Sequence, residues 1–328
     1  MQQRRIGNSG LSSSTLGLGC MGMSEFYGAT DEAQSMATLE AALAAGVTLF
    51  DTADAYGFGH NEQLLGRFIS RHRGQAMVAT KCGLAREAGG YARRVDNSPA
   101  YIRAACVASL ARLGVETIDL FYLHRLNLET PLEESMGMLA QLRQEGKIRA
   151  VGLCEVSAAT LRRAAAICPV AAVQSEYSLW TREPEQGVLA SCREAGASFF
   201  AYSPLGRGFL TGAIADASSL QAGDFRQFNP RFSSDNLVRN QAIAGLVRQF
   251  AHRQGCSPAQ LALAWLLAQG DDIIPIPGTK RVAYLHDNLG ALQVHLDGAA
   301  LAAMAAAFPL GMAAGERYTQ EGMKGVDA

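Results

Sequence analysis

The sequence has no run of about 18 apolar residues, the length a membrane-spanning helix needs. Neither sign of charge dominates: 29 Lys and Arg stand against 30 Asp and Glu, a net −1. No global field therefore favours nucleic acid, anionic lipid or an acidic polymer as partner. There is no C-x-x-C, and the seven cysteines are odd in number and widely spaced. That excludes a disulfide scaffold and structural zinc, and predicts free thiols in a reducing compartment. No two histidines have ligand spacing, so no metal site is expected. The first residues, MQQRRIGNSG, are basic but lack the apolar core of a secretory signal. A cytoplasmic location follows as the expectation. No linker or low-complexity stretch divides the chain.

What is present is alternation. With 328 residues, 48% hydrophobic and 18% charged, the chain has the size and core of one α/β barrel with insertions. Short apolar runs recur at 16–21, 47–52, 77–81, 118–124, 148–154, 170–175, 198–204 and 272–278. Continuous runs of this kind suit parallel strands buried on both faces. Helix punctuation lies between them. Thr30 can cap a helix that begins Asp31-Glu32 and ends before Gly46. Ser98-Pro99 opens another that Gly114 ends, and Ser257-Pro258 a third that stops at Gly270. Eight such units predict a single (β/α)₈ TIM barrel over 1–328, with an N-terminal extension 1–15 and a C-terminal tail from about 309 to 328. A doubly wound sheet is the alternative, but no G-x-G-x-x-G follows the first run. Two regions stand outside the alternation: a long loop after the seventh run, 206–235, and the Gly- and Ala-rich tail, whose end is expected to be mobile.

In such a barrel, chemistry sits where the strands end. The runs end in Cys20-Met21, Asp51 (with Tyr56 five residues on), Lys81, His124, Cys154-Glu155, Gln174, Tyr202-Ser203 and the loop Pro277–Arg281. Asp, Tyr, Lys and His on successive strands are hard to explain by stability alone. The stretches that hold them, FDTADAYGFGHNEQLLG, VATKCG and FYLHR, resemble the successive signatures of the aldo-keto reductases. VQSEYS, AYSPLGRGFLTG and IPIPGTKR resemble that family's cofactor-binding segments. The likeness runs from about Leu16 to Asn288.

The resemblance implies reduction of an aldehyde or ketone with NADPH. It makes Tyr56 the proton donor, Lys81 the cation beside it, Asp51 the partner of Lys81, and His124 the residue that orients the carbonyl. A phenol near pKa ~10 needs such a cation to favour proton release. Asp51 also suits capping of the turn it begins, and His124 a satisfied strand-end histidine. Gln174 and Cys154 are placed on the nicotinamide carboxamide and Tyr202 on the ring. Ser203, Leu205 and Gly206 fall on the pyrophosphate path, and Cys20, Met21 and Arg207 are further cofactor contacts. Gly278, Thr279, Lys280 and Arg281 surround the adenosine 2′-phosphate, with Asp287 and Asn288 towards the adenine. Cys154 stands where the family commonly has a hydroxyl. Glu155 either contacts cofactor or is solvated, and His60 faces solvent or orders its loop.

Two other functions use the same residues: a Schiff-base lyase with Lys81 as nucleophile, or a regulatory module that binds NADPH. The carbonyl substrate would be chosen by loops 22–29, 82–96 and 206–235. Phe26, Tyr27, Phe58, Tyr91, Phe225 and Phe228 are candidates to line the pocket or pack those loops. The sequence does not state the oligomeric state.

Overall fold

Each apolar run becomes a strand, and the alternation within it decides which side chains face the axis. The strands are β1 Leu18–Gly19, β2 Leu49–Asp51, β3 Met77–Cys82, β4 Ile118–Leu123, β5 Ile148–Cys154, β6 Val170–Glu176, β7 Ser198–Tyr202 and β8 Ile273–Pro275. The computed structural model describes residues 1–86, 93–127, 129–221 and 223–327. It lays the eight strands in one parallel sheet, in chain order. The sheet curls until its two edges meet. Gly17 N donates to Pro275 O at 3.0 Å, Gly19 N donates to Pro277 O at 3.1 Å, and Gly19 bridges to Gly278.

Leu49, Ala79, Leu120, Ala150, Ala172, Phe200 and Ile274 form the inner cluster. Their neighbours Phe50, Val78, Phe121, Val151, Val173, Phe199 and Ile273 belong to the larger outer cluster, where the helices pack. Both faces of β2 to β8 are thus apolar, which is why these runs read as continuous. Tyr122 lies across the interior and is fully buried. Its neighbour on β5 has to be Gly152, since a Cβ there would come within 2.3 Å of the ring.

The helices are α1 Glu32–Ala44, α2 His60–Arg71, α3 Pro99–Leu113, α4 Leu132–Gln144, α5 Ala158–Ile167, α6 Val188–Ala195, α7 Ser234–Arg253, α8 Pro258–Leu267, α9 Val282–Gly290, α10 Gly298–Ala307 and α11 Gln320–Met323. Ser98 caps α3 and the left-handed Gly114 ends it; Ser257 and Gln260 form a capping box on α8. The cap of α1 is Asp31 and not Thr30: its carboxylate accepts from Gln34 N at 2.7 Å. A charged acceptor also complements the helix dipole better than a hydroxyl does. Among the described residues no helix is long and apolar enough to cross a membrane. The cysteines are free, and Cys256 alone among them is not fully buried.

The N-terminal extension is a hairpin, Gln3–Ile6 paired with Leu11–Ser14. It plugs the base of the barrel. Ile6 and Leu11 join the inner cluster, and Gly7 N donates to Ser198 Oγ at 2.8 Å, where β7 begins. At the opposite end the loop after β7 folds into short 3₁₀ turns and reaches the loop after β1. Phe225 N donates to Phe26 O at 2.9 Å, and the two rings meet edge-on at 5.6 Å. The tail packs back on the barrel. Arg317 pairs with Glu155 at 2.9 Å, Leu126 N donates to Gly325 O, and Asp327 N donates to Glu155 O. A carboxylate buried as fully as Glu155 requires a cation, and the tail supplies it.

Candidate active site

The same alternation that fills the barrel places its polar rim. On β2, Leu49 faces inward and Phe50 outward, so Asp51 faces inward again. On β3, Ala79 and then Lys81 do the same. Lys81 is wholly buried, and its ammonium group donates to Asp51 Oδ1, to Thr52 O at 2.7 Å and to Tyr56 Oη at 3.4 Å. The second carboxylate oxygen of Asp51 accepts from Gln174 Nε2 at 2.8 Å. Tyr56 opens a 3₁₀ turn after β2, Tyr56–Gly59. His124, just past β4, meets its ring edge-on with centroids 5.8 Å apart. The four predicted catalytic residues are therefore one contiguous cluster, and Gln174 extends it across the mouth.

Burial opposes the charge on Lys81, but Asp51, joined by Tyr56 and Cys154, offsets this and the ammonium is held above its ordinary pKa. For Tyr56 the balance runs the other way. Burial raises the phenol and Asp51 adds to it, while Lys81 pulls it down; the net direction is up. Lys81 thus acts on the phenol in the expected sense without winning. The result is a Tyr56 that keeps its proton at neutral pH, as a proton donor must. Behind Lys81, Thr80 donates to Glu62 at 2.6 Å and Arg112 Nε donates to the same carboxylate at 2.6 Å. Those two bonds brace β3 against α2 and α3. His60 orders its loop: its Nδ1 lies 2.9 Å from Ser24 Oγ.

The other predicted positions line the same rim. Cys154 pairs in register with Gln174 on β6, and burial pushes its thiol up to about 12. Tyr202 Oη lies 2.8 Å from the hydroxyl of Tyr318, in the tail. Cys20 is buried beside Asp51, its N–H donating to Asp51 O, and Met21 begins the turn that follows. Ser203 and Gly206 have positive φ, with Leu205 between them. Gly278 and Thr279 lead into α9, where Asn288 is buried and Asp287 accepts from Gln260. Lys280 turns away from the helix start: its Nζ donates to Tyr27 O at 2.9 Å, Gly28 O at 3.4 Å and Ala29 O at 2.5 Å. Arg281 lies over the Tyr284 ring at 5.5 Å.

Two side chains expected at a cofactor are committed inside the protein. Glu155 is not solvated: it is buried in its ion pair with Arg317. Arg207 is buried too and pairs with Glu176 at 2.8 Å, which Arg231 joins at 3.2 Å. Burial works against the charge on Glu176, yet Arg207 and Arg231, with Arg317 beyond them, hold its carboxyl below the usual range. Of the loop aromatics, Phe26 and Phe58 lie near the Arg86 guanidinium, Tyr27 lies beside Arg226, and Phe228 is exposed. Tyr91 falls outside the described residues.

Comparison with known proteins decides the family. The model of the aldo/keto reductase family matches residues 15–308. The chain belongs to the aldo/keto reductase family. It is thus an oxidoreductase by descent. A relative from Schizosaccharomyces pombe, "Aldo-keto reductase yakc [NADP(+)]", is 44% identical over 320 residues, 96% of this chain and 94% of the relative. The glycerol dehydrogenase AKR11B4 from Gluconobacter oxydans superposes with a TM-score of 0.85 at 29% identity, covering 99% of this chain and 96% of its own. Aldo-keto reductase AKR11C1 from Bacillus halodurans, in its holo form, gives 0.79 at 26% identity over 98% and 99%.

Sequence reasoning missed Arg125, Glu176, Arg317 and Tyr318. Arg125 and Glu176 stand inside the quoted stretches FYLHR and VQSEYS, but their neighbours received the attention. Arg317 and Tyr318 are the only signal in the tail, a charged and aromatic pair in GERY.

Proposed function

We propose that this aldo-keto reductase reduces an aldehyde or ketone to the alcohol, with NADPH as reductant and Tyr56 as general acid. The chain is read as one barrel domain, its loop after β7 and its tail covering the mouth. The observation that carries the reading is the hydrogen-bonded series Gln174–Asp51–Lys81–Tyr56 with His124 beside the phenol.

A carbonyl that gains hydride develops alkoxide charge. Tyr56 would lie against that oxygen and release its proton to it. Lys81, held in place by Asp51 and Thr52 O, stabilises the phenolate as it forms. His124 orients the carbonyl oxygen from the other side.

The residues fit NADPH. No side chain caps the start of α9, so its first-turn N–H groups face the end of Thr279-Lys280-Arg281, a cradle for a phosphate. Ser203, Gly206, Arg207 and Gly208 all have positive φ, and Gly206 N and Gly208 N donate to Ser203 O and Leu205 O, which holds a tight backbone turn beside which the pyrophosphate would run. The relative's printed name, with its NADP(+), supports the choice. Gln174, Cys154 and Tyr202 would hold the nicotinamide. Cys20, Met21, Ser203, Leu205 and Gly206 would follow the pyrophosphate, joined by the backbone of Glu155 and Arg207. Gly278 to Arg281 would take the 2′-phosphate, and Asp287 and Asn288 the adenine end. Bound NADPH supplies the hydride.

The lyase reading loses its nucleophile, because a lysine paired with Asp51 and raised in pKa presents no free amine. A cytoplasmic location remains our reading, from the free thiols. The test is Tyr56→Phe. Turnover of an aldehyde should fall by roughly 100-fold or more, the scale of general acid catalysis, while NADPH affinity stays within a factor of about two. Wild-type turnover in this variant would end the proposal.

A further inference from the structure

Among the described residues, every buried cation that faces the mouth has its anion, except one. Lys81 has Asp51, Arg207 and Arg231 share Glu176, and Arg317 has Glu155. Arg125 follows His124 directly and is only 5% exposed. Its Nη1 donates to His124 O at 2.8 Å, while its Nε is buried without a partner. Among the described residues no carboxylate pairs with it. A guanidinium taken out of water without a counter-charge is strongly unfavourable, and proteins keep such a group chiefly where something else completes it.

Its surroundings say what completes it. The guanidinium lies towards the ring of Tyr318 at 5.8 Å, and its electrostatic neighbours are Tyr202, Tyr318, Glu155 and Cys154, all at the mouth. Glu155 is already engaged bidentately by Arg317. The neighbouring residue, His124, meets the ring of Tyr56. An anion on Arg125 would therefore sit beside the position of the reacting carbonyl. It would also lie on the β4–β5 side of the mouth, across from the helix start at α9. A planar guanidinium is suited to both carboxylate and phosphate.

We propose that Arg125 is a substrate-recognition residue, and that the preferred substrates are aldehydes or ketones carrying a carboxylate or phosphate close to the carbonyl. This rests on the reading of the site as a carbonyl reductase.

The test compares matched pairs: 4-carboxybenzaldehyde with 4-methylbenzaldehyde, succinic semialdehyde with butanal, and glyceraldehyde 3-phosphate with glyceraldehyde. In the wild type the charged member of at least one pair should have a kcat/KM about tenfold higher or more, the contribution of one charge-assisted hydrogen bond. The first two pairs report carboxylate and the third phosphate. In Arg125→Met that ratio should fall about tenfold, whatever happens to the absolute rates, and Arg125→Lys should restore part of it. A wild-type ratio near one in all three pairs overturns the inference, as does an unchanged ratio in Arg125→Met. Equal losses on both members with weaker NADPH binding would assign Arg125 to the cofactor carboxamide, and would overturn it too. If Arg125→Met does not fold, competition decides. 4-Methylbenzoate should compete with 4-methylbenzaldehyde in the wild type, and no inhibition at millimolar concentration overturns the inference. Failure of the wild type to reduce either member of all three pairs would instead remove the carbonyl-reductase reading on which this rests.

Discussion

Cys154 faces the barrel axis beside Gln174, at a position where the family resemblance puts a hydroxyl. Burial keeps its thiol neutral, and a thiol is a weaker donor than a hydroxyl. Cys154→Ser should therefore leave NADPH affinity unchanged or slightly tighter in a fluorescence titration. A tenfold loss would reveal a role specific to sulfur. Single residues were legible wherever strand alternation decided their side: Asp51, Lys81, Cys154, Gln174 and Tyr202 all end runs and all turn to the mouth. Residues whose meaning depends on a distant partner were not. Glu155 needs Arg317, and Glu176 needs Arg207 and Arg231. A sequence without partners cannot say that such a carboxylate is buried and paired, rather than solvated.

At the scale of elements, the start of α9 concentrates the choice between cofactors. NADPH differs from NADH by one phosphate, so discrimination needs cations in one place. Thr279 and Arg281 stand at an N-terminus that no side chain caps, while Lys280 ties the loop 27–29 to the same turn. Arg281→Ala should weaken NADPH roughly tenfold, the loss of a charge-assisted hydrogen bond, and leave NADH nearly unchanged. Titration of both cofactors checks this; equal losses for the two would move the phosphate elsewhere. Elements were legible when their punctuation was local. Ser98-Pro99 and Ser257-Pro258 start helices where they should. At α1 the sequence pattern puts the cap on Thr30, one residue early, because a threonine and an aspartate side by side can each accept from the first turn; the geometry gives Asp31.

For the molecule as a whole, the barrel was visible as eight apolar runs, whereas the course of the tail was not. Composition suggested a mobile end, but the buried carboxylate of Glu155 binds the tail back across the mouth. Glu155→Gln leaves Arg317 without its partner. Losing half of a buried pair costs about 3–5 kcal/mol, so the melting temperature should drop and the tail should be cleaved earlier in limited proteolysis. An unchanged melting temperature together with an unchanged cleavage pattern would show that the tail is held by something else. The seam of the barrel has a different consequence, in time rather than space. Gly17 and Gly19 bond to Pro275 and Pro277, from nearly opposite ends of the barrel sequence. Such a junction forms late, since the entropy of closing so large a loop must be met before its bonds can repay it. Until then the edges of β1 and β8 stay open to strands of other chains. Both edges are only two or three residues long, which leaves an emerging or refolding chain little surface on which aggregation could begin.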